Sequence, residues 1–391
     1  MLKPRISVLG SRVYVANVLP VSDDGILLQD ADIEQQTHAV FRGLQRALRA
    51  AGADLADLVR INTCYVYSGP EGSATPYWER MTQVRLEYFP NPGPVGTAVR
   101  VAGTGAPGAT IQLEAEALLP ELRSKRKRIM PKDSWEWSIP LPLSQGWRLD
   151  EYVWVGGQIS ADARGWAVHK GNLRAQTEAV LRHIGSVVKD AGASLDDLLH
   201  LKVCYLHDGN HAAAEARLSE IMKTVHSICG PSAPAVTAFG VNLLYEGLLL
   251  EIDASAVVSG DRHVLPAQKS QNSAASHGGL RRGGFFHVSG HSAPLAGSLD
   301  EKVKESTKQV IDATSALGGS RDNIARTTVL VSKNALGGRD ATELHSVVES
   351  HWLRAPLPAT SIVVVEGLPS GADVQVDAFG VLGERARNPN N

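Results

Sequence analysis

Cysteine is scarce in this chain. Three residues (Cys64, Cys204 and Cys229) are too few, and too oddly numbered, for a disulfide framework, and none forms the Cys-x-x-Cys spacing of a structural zinc site. Aromatic residues make up only 5% of the 391 positions, so any cluster of them calls for an explanation. Charge of one sign is not in excess either. Lysine and arginine number 39 against 41 acidic residues, which removes the field expected of a protein that binds nucleic acid or an anionic membrane. No apolar run approaches the roughly 20 residues of a membrane span, and charge interrupts the first residues, Met-Leu-Lys-Pro-Arg, before a secretory core can form. The expectation is a soluble, cytoplasmic protein whose partner is a small molecule, with no nucleic acid and no membrane.

What the chain does contain is repetition. Three short segments alternate apolar and polar residues around a matched carboxylate: Ile111–Ala115 with Glu114, Leu250–Ala254 with Asp253, and Val374–Ala378 with Asp377. Upstream, Cys64 in Thr-Cys-Tyr-Val recurs as Cys204 in Val-Cys-Tyr-Leu and, without the thiol, as Val329 in Thr-Val-Leu-Val. Cys64 and Cys204 are 140 residues apart and Glu114 and Asp253 are 139 apart; the next interval is 125 for the first landmark and 124 for the second. Such a long period means tandem triplication of a domain, not a solenoid of short repeats. A third of the chain, about 130 residues, also matches ordinary domain size.

Within each repeat the pattern predicts β-β-α-β-α-β-β. A β-branched or aromatic strand opens it (Val13–Ala16, Val153–Gly156, Phe286–Ser289). A helix follows, marked in the first repeat by Ile33, Val40, Leu44 and Leu48 at helical spacing, and it stops at Gly52, Gly192 or Gly318. The next strand carries the cysteine position. A second helix (about 78–88, 213–226 and 341–352) leads through a proline-marked turn to two closing strands. The class is α+β. The expected boundaries are repeat 1 at 1–120, a solvated basic linker at 121–134, repeat 2 at 135–258, a flexible tether at 259–277, repeat 3 at 278–383 and a disordered tail at 384–391.

This order of elements resembles the RidA/YjgF family, together with the Gly157-Gln158-Ile159-Ser160 turn, the Ala-Gly-Ala helix stop, and the Pro-Ala of Pro234-Ala235 and Pro358-Ala359. The likeness runs through nearly the whole chain as three fused copies. It implies a chorismate-mutase-like fold, a single-chain pseudo-trimer that can self-associate further, and clefts between neighbouring copies where enamines or imines are hydrolysed without a cofactor. It also implies specific residues. The family arginine after Pro-Ala, which grips a substrate carboxylate, falls on Gly96, Val236 and Thr360, so no repeat keeps it. The family cysteine two residues on becomes Ala98, Ala238 and Ile362. The family glutamate that handles water becomes Gln112, Glu251 and Gln375. The turn glycine that meets the substrate falls on Gly157 and Gly290, while the first repeat has Asn17-Val18.

Repeat 2 therefore holds the candidate chemistry. Glu251 is the expected general base or acid, with Gln158 and Ser144 orienting water or a substrate carbonyl. Four of the seven tryptophans lie between positions 135 and 154. Beside the glycine turn they can wall a pocket or seal a domain joint, and Trp147 is the candidate wall residue. Arg148 is a candidate replacement for the lost clamp. In repeat 3, His291 stands where repeat 2 has Gln158. His277, His287, His207 and His211 lack metal-site spacing, so no metal is expected. Cys64 and Cys204 read as core. Gly103-Thr-Gly105-Ala-Pro-Gly108 links two strands and is not a dinucleotide loop. The function expected is C–N bond hydrolysis of an enamine, imine or cyclic amide-like molecule. The alternative is a binding module, for a small molecule or a protein, that lost its chemistry.

Overall fold

The computed structural model describes residues 2–267, 277–293, 296–350, 352 and 356–389. Unit 1 comprises β1 (Arg5–Leu9), β2 (Arg12–Val18), α1 (Ile33–Ala50), β3 (Leu58–Tyr65), α2 (Ala74–Tyr88), β4 (Val95–Arg100) and β5 (Ile111–Leu118). A connector strand, β6 (Lys127–Ile129), precedes unit 2: β7 (Gly146–Leu149), β8 (Tyr152–Gln158), α3 (Leu173–Asp190), β9 (Leu198–Leu206), α4 (His211–Cys229), β10 (Ala235–Val241) and β11 (Leu250–Val257). A second connector strand, β12 (Arg262–Pro266), precedes unit 3: β13 (His277–Arg282), β14 (Phe285–His291), α5 (Leu299–Ala316), β15 (Ile324–Ser332), α6 (Leu344–Glu349), β16 (Ala359–Val365) and β17 (Val374–Val381). The described chain ends with β18 (Ala386–Arg387).

Each unit builds one six-stranded mixed sheet, in the orders β18-β1-β2-β5-β3-β4, β10-β9-β11-β8-β7-β6 and β12-β13-β14-β17-β15-β16. The pairs β3/β4, β9/β10 and β15/β16 are parallel, because a helix crosses over between their strands. Every helix buries its apolar stripe on its own sheet. In unit 1 this packs Val40, Phe41, Leu44 and Leu48 of α1 against Val13, Val15, Leu113 and Ala115. The opposite sheet faces meet in the middle of the molecule, where Tyr14, Trp147, Tyr152, Trp154, Phe285 and Phe379 form an aromatic core drawn from all three units. The first helix of each unit begins at a side-chain cap: Asp32 (with Gln35 returning the bond), Asn172 or Ser298 (with Glu301).

The units touch in cyclic order. β4 of unit 1 meets β8 of unit 2, β10 meets β14 of unit 3, and β16 meets β2 of unit 1. Matched hydroxyls stitch two of these seams: Thr97 Oγ1 donates to Asp253 (3.0 Å) and Thr237 Oγ1 donates to Asp377 (2.8 Å). At the third, the Asn17 backbone N–H donates to Ser361 Oγ (3.1 Å).

Several expectations are corrected by this arrangement. The tail, expected to be disordered, returns to sheet 1, where Ala386 and Arg387 pair with Leu9 and Val8 of β1; residues 390–391 lie outside the described residues. The basic linker is not simply solvated. Arg126 donates to the carbonyls of Ala56 and Leu58 (2.7 and 2.8 Å) and stacks on Trp147, and Lys127–Ile129 add a strand to sheet 2. The expected tether likewise contributes β12 to sheet 3, while 268–276 fall outside the described residues. In each sheet the extra strand covers an edge that would otherwise offer unpaired N–H and C=O groups. The register also moves one landmark. Cys64 and Cys204 pair across from Gln112 and Glu251, and the residue opposite Gln375 is Leu330, not Val329. One residue matters here because strand side chains alternate faces. Val329 belongs to the helix-side core, and Leu330 to a separate cluster on the other face with Val99, Phe239 and Val363 of all three units.

Candidate active site at the seam between units 1 and 2

Opposite Asp253, β8 carries one residue too many. Ile252 pairs with Gln158 and Ala254 with Val155, so Gly156 and Gly157 form a bulge. Bulges re-aim neighbouring groups. Here the Glu251 side chain lies directly on the Gly157 backbone: a Cβ at position 157 would stand 2.1 Å from Glu251 Oε1. No residue but glycine admits that approach.

Glu251 and Gly157 open into a cleft of about 610 Å³ when its open mouth is included. Unit 1 contributes Trp78 and Arg85 from α2, and Gly96 and Ala98 from β4. The connector between β6 and β7 contributes Trp135, Trp137, Leu141 and Leu143, and the loop before β11 contributes Leu243, Leu244, Tyr245 and Leu248. Two of the four clustered tryptophans thus wall the cleft. Burial among these groups pushes the Glu251 carboxyl up to about 8; Lys202 opposes the shift and the Asp253 charge adds to it. A carboxyl in that range is largely protonated at neutral pH, yet close enough to donate and recover a proton in turn.

The other sequence-derived candidates have different surroundings. Gln158 is buried and spends its side chain locally: its Oε1 accepts from Trp135 Nε1 (3.0 Å), while its Nε2 donates to Gln145 Oε1 (2.8 Å) and to the Gly156 carbonyl (3.1 Å). It holds the tryptophan wall and does not line the cleft. Ser144 sits below the wall, donating to the Gly93 carbonyl (2.7 Å) and accepting from Arg128 Nε (2.9 Å), which stitches the connector to unit 1. Trp147 is in the central aromatic core and donates to the same Gly93 carbonyl (2.9 Å). Arg148 is drawn to the carbonyls of Asp150 (2.7 Å) and Ala191, where it caps the end of α3, far from the role of a clamp. His291 is buried in unit 3, with Nε2 at 2.9 Å from the Gly278 carbonyl. Gly290 repeats the Gly157 geometry there, with Gln375 in place of the carboxyl (2.3 Å from a Cβ to Oε1).

Arg85 was not among the sequence candidates. Its signal was present: it falls seven residues after Trp78 on the buried stripe of α2, where a cation is out of place.

The centre of the molecule holds a second polar group. Asp253 bonds Lys202 (2.5 Å), lies 3.7 Å from Arg60, and is held below the usual carboxylate range, because these cations outweigh its burial. His200, His287 and Asp377 place nitrogen and oxygen atoms within 4.8 Å of one another. The two imidazoles stack in parallel (3.4 Å, 6°), so their in-plane lone pairs do not converge on one point, and burial, with Arg326 and Arg60 nearby, keeps both rings neutral. That geometry suits a sealed core better than a metal site. Cys64 and Cys204 are thiols whose ionisation burial suppresses, Cys64 up to about 12.

Among the described residues no helix is long and apolar enough to cross a membrane. The model of the family described as endoribonuclease L-PSP matches residues 5–119 and 139–258, and this chain belongs to that family, the RidA/YjgF group. A RutC family protein of Pyrococcus abyssi is 33% identical over 115 residues, covering 29% of this chain and 85% of the relative. The 2-iminobutanoate/2-iminopropanoate deaminase of Mus musculus is 28% identical over 116 residues, or 30% of this chain and 81% of that protein. Among solved structures, a chorismatase is 15% identical, covering 63% of this chain and 75% of its own, with a TM-score of 0.49. RidA from an Antarctic Psychrobacter is 20% identical, covering 34% and 99%, with a TM-score of 0.29.

Proposed function

We propose that this single-chain pseudo-trimer is a cofactor-independent hydrolase that breaks a C–N bond of an imine, an enamine or a related cyclic molecule in the cleft between units 1 and 2. The observation that carries the reading is Glu251, a carboxyl raised to about 8 and seated on Gly157 in an apolar cleft. Protonated Glu251 gives its proton to the substrate nitrogen, or to the β-carbon of an enamine, and creates an iminium. The resulting carboxylate takes a proton from water as the water oxygen bonds to the iminium carbon. Collapse of the carbinolamine breaks the C–N bond: the amine leaves with the proton Glu251 returns, and the hydroxyl proton passes to the carboxylate as the carbonyl forms, which restores protonated Glu251. The deaminase named among the relatives supports this class of reaction. The filled seam between units 3 and 1 supports the choice of cleft. At the seam between units 3 and 1, Gln112 donates to the Ile362 carbonyl (3.2 Å) and accepts from the Gly105 N–H (2.7 Å), occupying the equivalent space.

The test is an ammonia-release assay on metabolites selected by thermal shift, run with wild type and Glu251→Gln. Loss of at least about 100-fold in turnover by the variant is the expected result. Equal turnover removes Glu251 from the chemistry. Metabolites that raise the melting temperature but yield no product would make the cleft a binding site only, the reading favoured by the missing strand arginine.

A further inference from the structure

Helix α2 carries a cation into the cleft, and among the described residues nothing neutralises it. Arg85 is 1% exposed and lines the cleft, yet among the described residues its guanidinium has no hydrogen bond and no ion pair, and its Nε is buried without an acceptor. The guanidinium carbon lies over the face of Phe89, 5.2 Å from the ring centre. Two further buried donors beside it are also unpartnered, Trp78 Nε1 and Tyr65 OH. Buried donors are normally satisfied, and a buried unpaired charge is among the costliest groups a fold can hold. Burial lowers the Arg85 pKa only to about 10, with the Tyr65 hydroxyl acting the other way, so the group stays charged at neutral pH. Glu251 lines the same cleft but does not pair with it. Meanwhile Gly96, the strand position where the family resemblance would place an arginine, has no side chain to reach into the cleft.

We infer that Arg85 is the carboxylate-binding residue of this cleft, and that the ligand is a flat, apolar carboxylic acid whose carboxylate meets Arg85 while its ring lies along Trp78, Trp135 and Trp137. A planar guanidinium grips a carboxylate with two parallel hydrogen bonds, and the indole N–H supplies another donor. Clamping from the helix instead of the strand turns the acid away from the sheet and lays the remaining ring across the cleft toward Glu251. For its catalytic consequence the inference rests on the hydrolase proposed above; for binding it stands alone.

The test is calorimetric titration of the full-length protein with indole-3-carboxylate and benzoate, each beside its neutral amide. Wild type should bind at least one acid about tenfold or more tighter than its amide. Arg85→Met should abolish that preference, Arg85→Lys should keep part of it through charge without the fork, and Glu251→Gln should keep it whole. Arg85→Met should also melt at or above the wild-type temperature, since it removes an uncompensated charge. Equal affinity for acid and amide, absence of acid binding, a preference surviving in Arg85→Met, or a marked fall in its melting temperature would each overturn the assignment. If Glu251→Gln loses turnover while Arg85→Met still prefers acids, the clamp fails and the hydrolase stands. If the acid preference follows Arg85 while Glu251→Gln turns over normally, the reverse holds.

Discussion

Glu251→Gln changes one atom and removes one ionisation, so its effect on stability should depend on pH in a way no contact argument would produce. The carboxyl moves from its ordinary 4.5 in the unfolded chain to about 8 in the cleft. Below about pH 4.5 both states hold the proton and the raised pKa costs nothing. Between 4.5 and 8 the unfolded chain loses the proton while the folded protein keeps it, so stability falls as pH rises; above 8 the penalty is level. At 1.36 kcal/mol per unit the span from 4.5 to 8 gives roughly 5 kcal/mol as a ceiling. The cleft mouth reaches solvent, and relaxation there reduces this to about 1–3 kcal/mol. Glutamine never ionises. The variant should match wild type near pH 4.5 and exceed it by about 1–3 kcal/mol at pH 8, measured by urea unfolding at four pH values. A constant difference across that range, or a less stable variant at pH 8, would refute the raised carboxyl and remove the basis for its acid–base role.

Gly157→Ala should fold but lose about 100-fold or more in turnover, because its methyl would occupy the space of the Glu251 carboxyl; the ammonia-release assay measures it. Asp253→Asn leaves Lys202 and Arg60 without their buried counter-charge and should cost about 3–5 kcal/mol in chemical denaturation at pH 7. Because Asp253 is held below the usual carboxylate range, that deficit should shrink as pH falls through its folded pKa. Truncation after Leu382 uncovers the β1 edge and should lower stability by about 1–2 kcal/mol and promote self-association, read by thermal melting and light scattering.

Much of the architecture was legible in the residue order. Matched strand carboxylates at near-constant intervals announced three copies, and helical spacing ending at Gly52, Gly192 and Gly318 marked the first helix of each. Glu251 and Gly157 stood out because the glutamate and glycine coincide only in repeat 2. The neighbouring candidates read differently because sequence proximity does not report direction. Ser144, Trp147 and Arg148 are consecutive or nearly so with cleft residues, yet their side chains turn into a seam, the aromatic core and a helix end. The α6 region shows the same limit: the second helix expected over 341–352 resolves into a short 3-10 turn and a helix of six residues.

Local periodicity, chain punctuation and the triplicate pattern are properties of neighbouring residues, and these sufficed for the strands, the helices and the number of units. Whether Gly96 faces Leu143 across a seam, whether a tail strand returns to β1, and that Arg85 meets no counter-charge among the described residues depend on surfaces more than a hundred residues apart in some cases. Those relations exist only once three unequal copies have closed on one another. Burial and electrostatic environment, which raise the Glu251 carboxyl and set Arg85 against the cleft, are fixed by that closure.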